Sequence, residues 1–398
     1  MRIYRFRLYP SKKIEKILNK HLELCRFVYN KLLEILKEKE KEKIKPFDLA
    51  KTLPSLKEKY PELKQVYSKV LQMVNQQLWG NILALYKRKQ KGRRIGKLRY
   101  KGKNRWKILN YNQSGFKIIK TGKRLDLLKL SKIGEIPIRI SREIDGKVKG
   151  IIIRKYPSGK WYALVQIEEL SKLLPKTGKA IGIDVGIKYF LTDSEGRRIE
   201  NPKFYQSTLN RIKTIQKQLS RKKRGSKNWE KWRRKLAKLY EKLTNQRDDF
   251  LHKLSRFYVN NYDIIVVEKL KITKMIKNNF LAGRILDASW GKFFQFLSYK
   301  AEGAGKVVLE VDPRGTSKGL TWEQEDRDYI SANRILYREL GQPCPPVERR
   351  PLSLITADAV VRGQVSSMKQ EALSGSPTKL FTYFLPLWYN NKWKKSQG

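Results

Sequence analysis

Residues 180–196 read AIGIDVGIKYFLTDSEG, and this stretch decides the fold. Two apolar runs flank a sharp turn, the pattern of a buried strand that returns as a second strand. Asp184 stands inside the first run, where an ionised carboxylate has to be paired or has to bind a cation. Working outward, residues 262–270 (YDIIVVEKL) form another apolar strand that ends on a carboxylate, Glu268. Residues 306–313 (KVVLEVDP) make a further strand after a helix containing Phe293, Phe296 and Leu297. A last helix begins near Asp326, opens with Asp328 and runs through Ile330 and Ile335. Between the hairpin and the Glu268 strand lie two helices. The second keeps a three-four spacing through Trp229, Trp232, Leu236, Leu239 and Leu243, which predicts an antiparallel helical hairpin with RKKRGSK (221–227) at its tip.

Strand-borne Asp184, strand-borne Glu268 and helix-borne Asp328 are oxygen-only ligands of the kind that suit Mg²⁺ or Mn²⁺. Two such ions about 3.5–4 Å apart activate water and stabilise the leaving 3′ oxygen of a phosphodiester. The glycines flanking Asp184 let backbone and phosphate approach closely. An ordinary ion pair with one of the many lysines or arginines accounts for any one of these acids equally well. Gly-Ile-Asp-Val-Gly alone also fits sugar-kinase-like ATPases, although the phosphate loops of such enzymes are not found. The order strand-Asp, strand-Glu, helix-Asp is what favours the metal reading.

The N-terminal half has a different texture. Residues 2–9 (RIYRFRLY) alternate as a strand and stop at Pro10-Ser11. Ser11 reads as the N-cap of a helix whose Leu18, Leu22, Cys25, Tyr29, Leu32 and Leu36 recur at threes and fours. A solvated KEKEKEK run follows, then a helical block from about Pro61 to Lys91. From Gly92 onward, short β-rich runs such as PIRI, KGIIIRKY and WYALVQIE are separated by Gly, Asn and Asp turns, which predicts a small antiparallel barrel or sandwich. Strand 2–9 fits the same sheet, making the helical unit an insertion. Residues 175–178 form a linker, and the Pro/Ser-rich stretch after Gly341 shows no sustained period, which predicts a disordered or loosely docked tail.

Charge names the partner class. Lys and Arg number 89 against 37 Asp and Glu, a net charge of +52 over 398 residues, and self-repulsion on that scale calls for a polyanion. With 40% hydrophobic residues the cations ride on a folded scaffold rather than on a basic tail. Two cysteines and two histidines exclude a disulfide framework and a Cys/His zinc site, so no zinc is expected. No apolar run approaches a membrane span, and MRIYRFRLYPSKK lacks the apolar core of a secretory signal. The expected location is the cytoplasm of a prokaryote, with nucleoid association.

The chain resembles the transposon-encoded TnpB family, relatives of type V CRISPR effectors. The segments that carry the likeness, in order, are RFRLYPSKK near the start, RFVYNKLLE (26–34), AIGIDVGIKYFLTDSEG (180–196), DFLHKLS (249–255), VVEKLKITKM (266–275), LDASWGKFFQFLSYKAEGAGKVVLEVDPRGTS (286–317) and DRDYISA (326–332). The resemblance implies an α/β multidomain fold. A wedge-like β-barrel (1–12 and 92–174) is interrupted by a helical recognition domain (13–91), and a RuvC-like, ribonuclease H-type nuclease domain (178–317 and 326–340) follows. It implies Asp184, Glu268 and Asp328 as catalytic and metal-binding residues. It also implies an insertion-sequence enzyme that takes a guide RNA from the transposon end and cuts double-stranded target DNA. The sequence departs from the family where two Cys-x-x-Cys pairs form a zinc ribbon: only residues 318–325 (KGLTWEQE) remain, and Ile330 stands where many members have Asn. An RNA-guided DNA-binding protein with impaired or no cleavage is the alternative that this departure keeps open.

Residues 87–107 (KRKQKGRRIGKLRYKGKNRWK) pack cations among aromatics. Lys101, Lys103 and Arg105 are expected to meet phosphates, and Tyr100 and Trp106 to stack on unpaired bases. Arg221, Lys222, Lys223 and Arg224, with a second cluster at 233–235, are expected to follow a heteroduplex backbone. Gln72 and Gln76, with Asn75 beside them, offer amide-to-adenine contacts, against plain helix polarity as the simpler reading. His252 is expected to pack rather than catalyse.

Overall fold

The computed structural model describes residues 2–38, 46–168, 173–321, 326–342, 344 and 352–364. It falls into two compact units, residues 1–170 and 171–398. Among the described residues no helix is long and apolar enough to cross a membrane.

In the first unit, β1 (Arg2–Leu8) leads into α1 (Lys12–Glu38), α2 (Pro46–Lys59), a 3₁₀ turn (Pro61–Gln65) and α3 (Ser68–Gln90). Six strands follow: β2 (Ile108–Asn112), β3 (Phe116–Ile119), β4 (Asp126–Leu130), β5 (Gly134–Arg139), β6 (Lys147–Lys155) and β7 (Trp161–Glu168). They join β1 in one seven-stranded sheet of order β2-β6-β7-β1-β5-β4-β3. β1 pairs antiparallel with β7 along its whole length and with β5 at Arg7 and Leu8, so it is central, as its alternation predicts. The edge strands β2 and β3 are neighbours in sequence, and the Tyr111 hydroxyl on β2 donates to Ser131 O just past β4 at 3.1 Å, so the sheet curls into a nearly closed barrel.

Ser11 caps α1, its Oγ accepting from Ile14 N at 3.3 Å. Leu18, Leu22, Cys25, Val28, Tyr29 and Leu32 of α1 are all buried in the core shared with the barrel. Glu15 ties the helix to β7, accepting from the Trp161 indole N–H at 3.2 Å while Lys155 Nζ lies 3.3 Å away. The helical block begins earlier than the spacing predicts: α2 carries Pro54 within it, and Leu49, Leu53 and Leu56 are its buried face. Most of the KEKEKEK run lies outside the described residues.

The second unit is built on β8 (Ala180–Val185), β9 (Tyr189–Asp193), β10 (Arg197–Glu200), the helices α4 (Phe204–Ser220) and α5 (Lys227–Asn261), and β11 (Ile264–Glu268). There follow α6 (Ile272–Met275), α7 (Asn279–Ala288), α8 (Trp290–Ala304), β12 (Val307–Val311) and α9 (Arg327–Leu340). β13 (Ser353–Ile355) and α10 (Ala357–Arg362) complete it. The six-stranded sheet runs β12-β11-β8-β9-β10-β13. β8, β9 and β10 form an antiparallel meander, and β11 and β12 continue parallel to β8. That is the ribonuclease H-type order implied by the resemblance. α4 and α5 pack Ile212 and Ile215 against Leu239 and Leu243, which makes them an antiparallel hairpin turning at 221–226.

The expectation of a disordered tail after Gly341 is corrected for residues 352–364. β13 adds in parallel to the open edge of β10, with Ser353 opposite Arg197 and Ile355 opposite Ile199. Ile355 and Val360 are buried, Thr356 caps α10 by accepting from Ala359 N at 3.2 Å, and Lys253 Nζ donates to Val361 O at 2.5 Å. A three-residue strand is too short to show a period. Residues 343, 345–351 and 365–398 of the tail, including Trp388, Tyr389 and Trp393, lie outside the described residues, as do 322–325 of the shortened ribbon connection.

His21 is buried in α1, and burial, with Lys20 adding to it, lowers its pKa to about 4 from the usual 6.5. The unfolded chain therefore binds more protons between these two values, so the full contribution is present above pH 6.5 and is lost as pH falls towards 4. The urea midpoint of the first unit is expected to drop across that window, and to drop less in His21→Leu.

Candidate nuclease site

Strand register brings the first two acids together. Val267 of β11 lies opposite Ile183 of β8, so the next step along two parallel strands sets Glu268 beside Asp184. Side chains alternate across a sheet. Ile181, Ile183, Ile265 and Val267 enter the core against Phe250, Leu254, Phe293 and Leu297 on one face. Ile264 and Val266 therefore share the other face with Gly182, Asp184 and Glu268, where Ile335 and Leu336 of α9 pack.

Gly182 sets the height of α9. A Cβ at this position would lie 2.1 Å from Ala332 O and 2.9 Å from Leu336 Cβ, so the helix backbone rests directly on the strand. Asp328 is one turn before Ala332 on the same helix face, and Asp184 is two residues beyond Gly182 on the same strand face. The two offsets, about 6 Å along a helix and about 7 Å along a strand, bring the carboxylates to the same place. A Cβ on Gly186 would stand 3.9 Å from Asp328 Oδ2. Asp328 also lies in the first turn of α9, where the helix dipole favours a negative charge.

All three acids line one cavity of about 870 Å³. Burial, and then the negative charges of Glu268 and Asp328, push the Asp184 carboxyl well above its usual range, with Arg327 acting in the opposite sense. Burial also raises Glu268, opposed by a hydrogen bond from Thr316 and by the charge of Arg338. Thr316 Oγ1 donates to Glu268 Oε1 at 2.7 Å. The loop that carries Thr316 is held by α9: Arg338 donates to Asp312 O and Arg314 O, both at 2.7 Å, and Arg334 to Thr316 O at 3.2 Å and Lys318 O at 2.7 Å. None of the three acids takes part in an ion pair among the described residues.

The carboxylates share a cavity without closing to ligand spacing: among the described residues no three Asp, Glu, His or Cys side chains stand as a ready metal cage. Like charges set side by side repel, and Thr316 draws Glu268 towards its own loop. The donor set nonetheless fits a hard divalent cation, being all oxygen, and Asp184 is the half-buried acid, flanked by two more, that a cation would relieve.

The contrast with Asp193 is instructive. Asp193 is fully buried yet satisfied: Oδ2 accepts from Arg197 Nε at 2.7 Å and from the Tyr258 hydroxyl at 2.9 Å, and Oδ1 from Glu195 N and Arg197 N at 3.1 and 3.0 Å. It is the ordinary structural ion pair that Asp184 is not. Asp287, on the cavity wall, caps α4, accepting from Tyr205 N at 3.0 Å and from Arg247 Nη2 at 2.7 Å.

The nucleic-acid candidates divide. Tyr100, Lys103 and Arg105 are exposed, as are Arg221, Lys223 and Arg224, with Lys222 half-buried. Lys37 Nζ lies 4.1 Å over the Tyr100 ring, and the residue remains half exposed. Lys101 is a strut, its backbone N–H donating to Asn30 Oδ1 at 2.8 Å and its Nζ 4.8 Å over the Tyr29 ring. Trp106 is a correction: it is only 3% exposed, packs on Tyr29 and donates its indole N–H to Ile108 O at 2.7 Å, so it offers no face to a base. Asn75 is buried too, donating to Pro46 O at 2.9 Å. Gln72 is exposed, and Gln76 lines a cavity of about 300 Å³ with Met73, Gln77 and Asn110. His252 stacks on Phe296 with ring centroids 4.0 Å apart, a packing role. Sequence reasoning missed Thr316, Arg334 and Arg338, and, although it noted the cluster at 233–235, it missed the groove on α5 in which Arg234 and Lys235 join Lys227, Lys231 and Lys238. Their helical spacing of four, three, one and three was the available signal.

Gly182→Ala must displace the backbone of α9, a cost of about 3 kcal/mol or more by analogy with overpacked cores. Urea denaturation is expected to show a loss of that order, while Gly283→Ala, which meets nothing within 4 Å, is expected to be neutral or stabilising.

Three comparisons bear on kinship. The family model OrfB_IS605, described as "Probable transposase", matches residues 163–279. A "Helix-turn-helix domain" model matches residues 1–45, whose described part holds β1 and α1, and a "Cas12f1-like, TNB domain" model matches 290–335. The chain is 30% identical over 320 residues to a Streptomyces pristinaespiralis protein named "Putative RNA-guided DNA endonuclease", covering 78% of this chain and 77% of that one. It is 29% identical over 339 residues to Escherichia coli (strain K12) "Putative RNA-guided DNA endonuclease InsQ", covering 80% and 82%. Cas12f1, in its cryo-EM complex with sgRNA and target DNA, shares the fold with a TM-score of 0.55 at 14% identity, over 83% of this chain and 84% of that chain. With that sheet order, those acids at the ends of β8 and β11 and that degree of kinship, the chain belongs to the IS605 OrfB, or TnpB, family.

Proposed function

We propose that this protein is an RNA-guided DNA endonuclease of an insertion sequence, hydrolysing target phosphodiesters with divalent metal. The convergence of Asp184, Glu268 and Asp328 from two strands and a helix on one cavity carries the reading. Names borne by the relatives support the same chemistry. In this reading residues 1–12 and 92–174 are the wedge domain, 13–91 the recognition domain, and 178–317 with 326–340 the nuclease. Guide RNA base-pairs with the target, while the protein reads backbone shape and a short adjacent motif.

Asp184, Glu268 and Asp328 would hold Mg²⁺ or Mn²⁺, which when bound neutralises the phosphate and stabilises the leaving 3′ oxygen. The chain's own residues prepare that chemistry. Asp184 is fixed by the sheet, Asp328 by the seat of α9 on Gly182, and Glu268 by Thr316. Thr316 engages one oxygen of Glu268 and leaves the other for the ion. Lys188, Arg198, Lys203, Arg284 and Arg327 line the same cavity and draw in the phosphates of a strand. Exposed Arg221, Lys223 and Arg224 in the second unit, and Lys103 and Arg105 in the first, would each meet phosphates of the nucleic acid. The second reading, guided DNA binding without cleavage, is favoured by one feature only, the shortened connection at 318–325.

Protein purified with its RNA is expected to cut guide-matched DNA in Mg²⁺ and not in EDTA. Asp184→Ala is expected to abolish cutting while retaining RNA; undiminished cutting by that variant refutes the assignment. Thr316→Val leaves Glu268 without its donor and is expected to weaken Mn²⁺ binding, read by electron paramagnetic resonance, by about tenfold, with Thr316→Ser restoring it.

A further inference from the structure

Beside the cavity, α7 presents an aromatic side chain where a folded chain has little reason to place one. Phe280 is 79% exposed. One turn on, the Arg284 guanidinium lies 5.5 Å from the centre of its ring and also lines the cavity, together with Leu281. Lys274 and Lys277, just before, are exposed and form no ion pair among the described residues. Lys188 and Lys203 line the same cavity.

We propose that Phe280 and Arg284 form a loading ledge for a single strand of DNA, Phe280 stacking an unpaired base and Arg284 meeting the adjoining phosphate. The proposal rests on the nuclease reading and adds to it the two residues that seat the strand beside the carboxylates. Three observations select this occupant. The cleft has a volume of about 870 Å³, which a few nucleotides fill. Cations surround the apolar ring, which matches a base flanked by phosphates and opposes a basic second copy of this +52 chain. Finally, a base offers a π-face whatever its identity, so one exposed phenyl ring serves any sequence the guide selects. A duplex would hide its bases from this ring, and a double-stranded target has to be opened before it can be seated.

The test uses the full chain with its RNA and a short single-stranded oligodeoxynucleotide carrying 2-aminopurine, whose emission is quenched on stacking. Ca²⁺ replaces Mg²⁺ during binding. The wild type is expected to quench the probe. Phe280→Ala is expected to lose the quenching and bind about tenfold more weakly, within the range measured for base–aromatic stacking. Phe280→Trp is expected to restore both. Phe280 is exposed, so its truncation leaves the fold intact, and circular dichroism melting verifies this. On guide-matched DNA in Mg²⁺, Phe280→Ala is expected to raise KM with kcat little changed. Unaltered quenching and affinity in Phe280→Ala overturn the proposal. So does a shift of that variant from dimer to monomer with oligonucleotide binding intact, which would make the ledge a protein interface. Wild-type protein that stacks the probe yet never cuts matched DNA defeats the nuclease reading and leaves the ledge standing. Cutting that ignores Phe280 does the reverse.

Discussion

The missing side chain at residue 182 is what the second unit depends on. Because nothing separates β8 from the backbone of α9 there, the helix settles onto the sheet at a height that no other residue type permits. That height places Asp328 over the end of the strand bearing Asp184. Ile335 and Leu336 fasten the same helix to Ile264 and Val266. The packing that closes the hydrophobic core and the geometry that assembles the acids are therefore one arrangement.

Electrostatics then separates function from architecture. In a chain this basic, a buried acid with a structural task finds a guanidinium and phenol hydroxyls, as Asp193 does with Arg197 and Tyr258. Asp184 has no such partner among the described residues: its partial burial, and then the charges of two further carboxylates, raise its proton affinity. The excess positive charge lies elsewhere, on exposed loops and helix faces and around the cavity, where it attracts the polyanion without cancelling the acids.

Much of this was legible in the sequence. The apolar runs around Asp184 and Glu268 announced buried strands ending in carboxylates, and the alternation in residues 2–8 announced a strand that the barrel places at its centre. Local pattern could not reveal which of several similar features face outward. Trp106 sits among cations and looks like a stacking platform, yet its ring packs on Tyr29 of α1 inside the apolar core. Residues 353–355 escaped notice for the opposite reason. A three-residue strand has no period, and its stability comes from the unpaired edge of β10 rather than from its own composition. Thr316 was quoted within a motif but not singled out, since one hydroxyl acquires meaning only when Glu268 is known to stand 2.7 Å away.

Arg334 and Arg338 complete the picture of α9. The helix that delivers Asp328 also staples the segment whose threonine steadies Glu268. Asp328 thus travels with this rod, as does the loop whose threonine orients the Glu268 carboxylate, while Asp184 and the backbone of Glu268 stay anchored in the sheet. A tilt of that rod by a fraction of its diameter would displace Asp328 and slacken the hold on Glu268 in concert, so the cluster of acids behaves as a latch whose handle lies a full turn or more away from it.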